Sequence, residues 1–272
     1  MSLDALALVT GASSGFGTDF ARGLAARGYD LILVARREDR LRALATEIER
    51  EFMCRVEVIV ADLAIDAERQ RVCETARSLG KPVEVLINNA GLGLYGRFDA
   101  IPWEKERQML DVDISAVVHL TKWFTRAMAA RGRGYVLNIA STGAYQPTPL
   151  YASYCAAKAF VLSFSQAVNF ELRKSGVSIT VASPGISATE FLTVSKQQPT
   201  SFQKLTMMSS ADVVRKSLKA LFERRSTIVP GAVNRFMTQS ETLLPSSLKT
   251  RIAFILMHSN ESTHASESGS RD

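Results

Sequence analysis

No stretch of this 272-residue chain reaches the ~18 consecutive apolar residues that a membrane-spanning helix needs. The N-terminus enters a strand-like run at once, with no basic region followed by a long apolar segment, so no signal peptide is expected. Cysteine is scarce. The three at positions 54, 73 and 155 have neither metal-ligand spacing nor the even count of a disulfide framework. No metal site is expected, and a reducing, cytoplasmic compartment suits such thiols. Blocks of one charge are also missing. The net charge is +6 and the pI is near 9.3, but the basic residues are scattered among acids. That pattern fits a solvated surface better than a nucleic-acid interface. No Pro-, Gly- or Ser-rich linker and no internal repeat interrupts the chain before about residue 258. Length alone leaves one or two domains open, and the missing linker favours one, over residues 1–232.

What is present is a steady alternation. Short apolar runs at residues 6–10, 31–35, 56–60, 83–88, 135–140 and 178–182 are separated by segments of helical periodicity, and residues 226–229 can form a last strand. Continuous apolar strands alternating with amphipathic helices imply an α/β fold, with a parallel sheet covered on both faces. Residues 186–209 break the rhythm: they are polar, carry Pro199 and lack periodicity, which suits a lid or binding loop. Phe191, Leu192, Met207 and Met208 give this segment an apolar character and hint at a greasy substrate. Ser209-Ser210-Ala211-Asp212 has the form of a helix N-terminus.

The first strand runs into Gly11-Ala12-Ser13-Ser14-Gly15-Phe16-Gly17, and a helix follows. Between a strand and a helix, such glycines allow a tight turn and let the backbone approach a pyrophosphate, which the helix N-terminus attracts. The end of the second strand reads the adenosine ribose: an acid there bonds a 2′-hydroxyl, an arginine accepts a 2′-phosphate. Here Ala35 is followed by Arg36 and Arg37, with no acid until Glu38. NADP is therefore preferred to NAD. Arg36 is the first choice for the contact, Arg37 is either a second or a surface residue pairing with nearby acids, and Ser13 and Ser14 can add hydroxyl contacts.

Tyr154 and Lys158 stand four apart in a segment, residues 151–174, that reads as one long helix. Four residues sweep about 400°, so both side chains lie on one face. An adjacent ammonium favours the phenolate and is expected to lower the tyrosine pKa toward working pH. Such a pair can donate a proton to a carbonyl or take one from an alcohol.

Together these residues resemble the short-chain dehydrogenase/reductase family over about residues 5–230. The sequence carries six motifs in the family's order: the glycine loop from Thr10 to Gly17, Asp62-Leu63, Asn88-Asn89-Ala90-Gly91, Asn138-Ile139-Ala140-Ser141, the Tyr154/Lys158 pair, and Pro184-Gly185-Ile186 with Thr189. The resemblance implies a single-domain, Rossmann-like three-layer α/β/α sandwich. Its seven parallel strands would be ordered 3-2-1-4-5-6-7. It also implies site roles. Gly11, Ser13, Ser14, Gly15, Phe16, Gly17, Asp62, Leu63, Asn89, Ala90, Gly91, Pro184, Gly185, Ile186 and Thr189 would hold NADP(H) with Arg36 and Arg37. Ser141 would bond the substrate carbonyl, Tyr154 would give its proton, and Lys158 would hold the nicotinamide ribose. Thr142 is the runner-up hydroxyl, one residue out of register. Members commonly form homodimers or homotetramers.

One position departs from the family pattern. Asp113 stands where members usually have an asparagine that holds a water linking the lysine to solvent. Three outcomes are open: a protonated carboxyl partly mimicking the amide, an ionised one pairing with Lys158, or a helix residue with no catalytic part. The main expectation is an NADPH-dependent oxidoreductase acting on a lipophilic ketone or 3-oxoacyl substrate. The alternative is a non-catalytic NADP-binding sensor or interaction module.

Other residues carry less. Cys155 points about 100° away from Tyr154 and reads as core filler. His119 lies in an apolar run without a second ligand. Tyr95, Tyr145, Gln146 and Tyr151 either line a substrate pocket or pack. Residues 233–258 form an extension in which Leu248, Ile252, Ile255 and Leu256 fall at helical spacing. A helix packed on its own domain or on a second subunit is expected. A basic amphipathic segment resting on a membrane is the less favoured alternative. Pro245 should stop any helix continuing from Glu241, and the polar residues 259–272 are expected to be disordered.

Overall fold

The structure is a computed structural model that describes residues 4–185, 207–241 and 245–258. Seven strands, β1 (Leu6–Thr10), β2 (Asp30–Ala35), β3 (Val56–Val60), β4 (Val83–Asn88), β5 (Gly134–Ile139), β6 (Val177–Ala182) and β7 (Thr227–Ile228), form one sheet. Its order is β3-β2-β1-β4-β5-β6-β7 and every pairing is parallel. Every residue of β1, β2 and β6 is buried; β1 and β2 accordingly read as apolar runs, whereas β6 also buries Ser178 and Thr180.

Successive side chains divide between the two faces. Ala7 and Val9 pack with Phe20 and Leu24 of α1 (Phe16–Ala25), Leu41 of α2 (Glu38–Phe52) and Leu218 of a later helix on one side. Leu6 and Leu8 pack with Val72 of α3 (Asp66–Ser78) and with Leu120 and Phe124 on the other. Phe20 and Leu24 are completely buried, a burial that stabilises the fold by roughly 1.5–3 kcal/mol for each such side chain. The helical stretch from Trp103 to Ala130 is continuous but has three parts. A π-helical turn, Asp111–Ala116, sits between α4 (Trp103–Leu110) and α5 (Val117–Ala130). Such turns insert an extra residue and re-aim side chains, often at functional sites. α6 (Ala152–Glu171) packs beside β6.

The chain continues through α7 (Ser210–Phe222), α8 (Ala232–Glu241) and α9 (Ser246–His258). Ser209 caps α7 as its sequence suggests, its hydroxyl accepting the Asp212 N–H at 3.1 Å. Pro245 lies between α8 and α9. In the single chain Leu248 and Ile252 are exposed at 44% and 39%, while Ala253, among the described side chains of α9, is buried at 1%. The side chains of Ile255 and Leu256, residues 186–206 of the expected lid, and the tail from 259 lie outside the described residues. Among the described residues, no helix is long and apolar enough to cross a membrane.

One buried carboxylate ties the amino ends of the strands together. Asp30 at the start of β2 accepts the Arg55 N–H at 2.9 Å and lies 2.8 Å from Lys81 Nζ. Burial alone would raise its pKa, but Lys81 and the Arg55 amide outweigh that and hold it below the ordinary 3.8. Its stabilisation is therefore fully present above pH 3.8 and is lost as pH falls through the lower folded value. Asp30→Asn is expected to cost about 1–3 kcal/mol at pH 7, with wild type and variant converging in acid. Urea unfolding at pH 7 and near pH 3 measures both.

Candidate active site

β1 and β4 are neighbours, yet the chain leaves them toward opposite edges of the sheet. At such a switch point, the loops beyond the carboxyl ends of the strands part and leave a crevice. A cleft of about 330 Å³ opens there. Its floor is the first turn, Gly11 and Ser13 to Phe16, and its far wall is Asn89, Ala90 and Gly91 after β4. Arg36 and Arg37 after β2, and Asp62 and Leu63 after β3, close the end.

The glycine turn has a steric origin. Gly11 and Gly15 have φ of 65° and 53°, in the left-handed region that other residues avoid. A Cβ on Gly17 would collide with the Gly11 carbonyl, so only glycine lets α1 start against the loop. Gly17 thus shapes the cradle and does not line it. Thr10 stitches the two walls together: its Oγ1 accepts the N–H groups of Asn89 and Ala90, each at 3.0 Å. Asn89 Nδ2 returns a bond to the Thr10 carbonyl at 2.9 Å.

Arg37 turns toward the glycine loop. Its Nε donates to Ser13 Oγ at 3.2 Å, which lays the guanidinium along the glycine loop. Arg36 is half-exposed, with Nη1 3.8 Å from Asp62 Oδ2. An exposed pair of that length contributes little and releases readily to a better anion. Two guanidinium groups at the mouth of a glycine cradle beside a helix N-terminus fit a dinucleotide carrying an extra ribose phosphate.

The chemical residues stand at the next strand end. β5 delivers Ser141, and α6 delivers Tyr154 and Lys158 one turn apart. Ser141 Oγ accepts the Gly143 N–H at 3.1 Å and is hydrogen-bonded with the Tyr154 hydroxyl. Thr142 opens the short turn Thr142–Tyr145, and its backbone N–H donates to the Pro184 carbonyl at 3.0 Å. Pro184 and Gly185 therefore flank the Ser141 turn; Ile186 and Thr189 lie outside the described residues. Lys158 Nζ is 5.7 Å from the centre of the Tyr154 ring and donates to the Ile139 carbonyl at 3.2 Å.

Asp113 reaches the same place from the π-helical turn. Its side chain is 0% exposed, its Oδ1 accepts the Leu92 N–H at 2.7 Å, and its Oδ2 lies 2.8 Å from Lys158 Nζ. Of the three outcomes open in the sequence, this is the ion pair. It also overturns the expected lowering of the tyrosine pKa. Burial first, and the Asp113 carboxylate second, push Tyr154 well above the ordinary phenol value, against a smaller pull from the Ser141 hydrogen bond. The ammonium that should favour the phenolate is already balanced by a carboxylate in contact with it.

The flanking aromatics form a row beside the site, with Tyr95 to Tyr151 at 5.1 Å and Tyr151 to Tyr154 at 6.0 Å between ring centres. Tyr145 and Gln146 are half-buried on the turn after Ser141. Cys155 is buried as core filler, and burial pushes its thiol up. His119 is partly exposed, 3.8 Å from Asp66, and no metal-binding cluster occurs among the described residues.

The sequence profile of the short chain dehydrogenases matches residues 5–200. The chain belongs to the short-chain dehydrogenase family. Among its relatives in that family, a very-long-chain 3-oxoacyl-CoA reductase of Phaeosphaeria nodorum is 32% identical over 210 residues, 74% of this chain and 62% of that one. The human 17-beta-hydroxysteroid dehydrogenase type 3 is 35% identical over 186 residues, 67% of this chain and 59% of that protein. The matched segments thus span about three fifths of these relatives. In three dimensions this short-chain dehydrogenase resembles one from Sphingobium yanoikuyae in complex with NADPH. The TM-score is 0.79 at 30% identity, covering 88% of this chain and 93% of the other.

Three participants were not singled out in the sequence. Thr10 is the stitch between the loops, Val112 lines the cleft, and the Leu92 amide anchors Asp113. Thr10 opens the glycine motif but had no role of its own there, and Val112 sits next to Asp113, adjacency being its only signal. The Leu92 contact is a backbone bond, and no side chain announces it.

Proposed function

We propose that this chain is an NADPH-dependent reductase of ketones, with lipophilic ketones and 3-oxoacyl thioesters as the substrate class and the reverse alcohol oxidation on the same residues. One observation carries the reading: the Ser141 and Tyr154 hydroxyls are hydrogen-bonded to each other beside Lys158, next to a glycine cleft ending in Arg36 and Arg37. The names of the relatives and of the NADPH-bound neighbour support it.

Bound NADPH supplies the hydride that reduces the carbonyl carbon. Ser141, its oxygen oriented by the Gly143 N–H, holds the substrate oxygen. Tyr154 gives that oxygen its proton, so the carbonyl becomes an alcohol. Lys158 positions the ribose side of the cofactor and, with Asp113, sets the electrostatics around the tyrosine. A cytoplasmic location and a homodimer or homotetramer belong to the same reading. Buried, unpaired Cys54, Cys73 and Cys155 support the former, and the molar mass in solution tests the latter.

The test is NADPH consumption, followed optically, against long-chain 3-oxoacyl-CoA, steroid ketones and small aromatic ketones, with NADH alongside. Turnover with NADPH on at least one apolar member of the panel is expected. Tight NADPH binding without turnover across the panel would favour the non-catalytic sensor, the reading to which the unusual Asp113 lends support.

A further inference from the structure

We propose that Asp113 neutralises Lys158 and so keeps Tyr154 in its protonated, proton-donating form to higher pH than an uncharged residue at position 113 would. Asp113 is a positioning residue in this role, acting through Lys158. The inference rests on the reductase reading for its consequence, though not for its test.

The geometry leaves the carboxylate little else to do. Asp113 is completely buried, and Lys158 is 5% exposed. Oδ1 is held by the Leu92 amide at 2.7 Å, which aims Oδ2 at Nζ, 2.8 Å away. Oδ2 has no hydrogen-bond partner of its own apart from this ionic contact. Gly91 makes room for the pair: a Cβ there would lie 3.2 Å from Nζ and 3.4 Å from each Asp113 oxygen. An asparagine at 113 would keep the Leu92 bond through its carbonyl oxygen but bring no charge. The ammonium would then act on Tyr154 as a bare cation.

The other groups facing Tyr154 do not replace this effect. Ser141 from the β5 turn is neutral. Tyr151 just before α6 and Cys155 on it are uncharged, and Tyr95 packs against Tyr151. Glu106 of α4 borders the same small cavity as Tyr154 and accepts from Ser153 Oγ at 2.7 Å, but the carboxylate that acts on Tyr154 is that of Asp113. Among the described residues, Asp113 and the Lys158 it pairs with are the charges on which the proposal turns.

An unbalanced opposite charge at 4–6 Å lowers a neighbour's pKa by about 1–3. The experiment is an alkaline ultraviolet titration of the full chain without substrate, in which the Tyr154 signal is wild type minus Tyr154→Phe. The same difference is then taken in the Asp113→Asn background. The Tyr154 midpoint is expected to fall by about one pH unit or more in Asp113→Asn, and to rise again when Lys158→Met is added. Asp113→Ser, which removes the charge with a smaller side chain, is the second variant if asparagine does not fold. Where turnover is measurable, the pH at which ketone reduction falls to half should move down with the midpoint, because reduction needs the phenol. An unchanged midpoint in both charge-removing variants overturns the proposal, and a purely structural role would lower stability without moving it. A chain silent on every substrate would sink the reductase reading while leaving the titration to decide this one.

Discussion

Tyr154→Phe is expected to cut turnover by about 10²–10⁴-fold while NADPH still binds. Phenylalanine keeps the ring that stands 6.0 Å from Tyr151 and 5.7 Å from Lys158 Nζ, so the packing of α6 and the cation over the ring are retained. Only the hydroxyl that meets Ser141 is removed, and with it the proton that the product oxygen needs. Quenching of protein fluorescence by NADPH reports binding, and single-turnover absorbance reports the chemical step. A variant that bound NADPH normally and turned over at the wild-type rate would remove Tyr154 from the mechanism. The loss should be similar from pH 6 to 9, because the high pKa of Tyr154 leaves the wild-type phenol protonated throughout.

Removing both Arg36 and Arg37 should raise the KM for NADPH by about 10²-fold or more, with little change in kcat and little change in the KM for NADH. Hydrogen bonds to a charged group contribute about 1.5–3 kcal/mol each, and ten-fold in affinity corresponds to about 1.4 kcal/mol. Two contacts to one phosphate therefore reach this range even when they are not additive. The two single variants should differ in kind. Arg36 gives up an exposed 3.8 Å pair with Asp62, so Arg36→Ala leaves the free cleft largely as it is. Arg37 is bonded to Ser13 within the glycine loop, so Arg37→Ala also loosens the loop and should weaken NADH somewhat. Steady-state kinetics with both nucleotides checks each point. Equal losses for NADPH and NADH in the double variant would show that the arginines do not read the extra phosphate.

Much of this architecture was legible before any coordinates, and the reason is local. β1 and β2 are buried on both faces, so their apolar runs over residues 6–9 and 31–35 are unbroken. Gly11 and Gly15 adopt positive φ, and Gly17 meets a carbonyl, so the loop had to be written in glycine. Tyr154 and Lys158 are four apart on one helix, and their shared face follows from helical geometry alone. At the C-terminus, apolar spacing marks Leu248 and Ile252 as one face of α9, and both are exposed in the single chain while Ala253 is buried, because periodicity shows that a face exists without showing which surface is offered to it.

The sequence by itself determined the parallel α/β sheet, the nucleotide cradle with its two arginines, and the Ser141, Tyr154 and Lys158 set. All of these depend on contacts within one turn, one strand or one helix, or on spacing the family shares. Only the tertiary structure decided what Asp113 does. Its partner is 45 positions away, and the meeting requires the π-helical turn to re-aim the side chain and Gly91 to leave space. Burial first, and this carboxylate second, also outweigh the expected effect of Lys158 on Tyr154. A charge acts through distance and through its neighbours, and neither is written in the order of the residues.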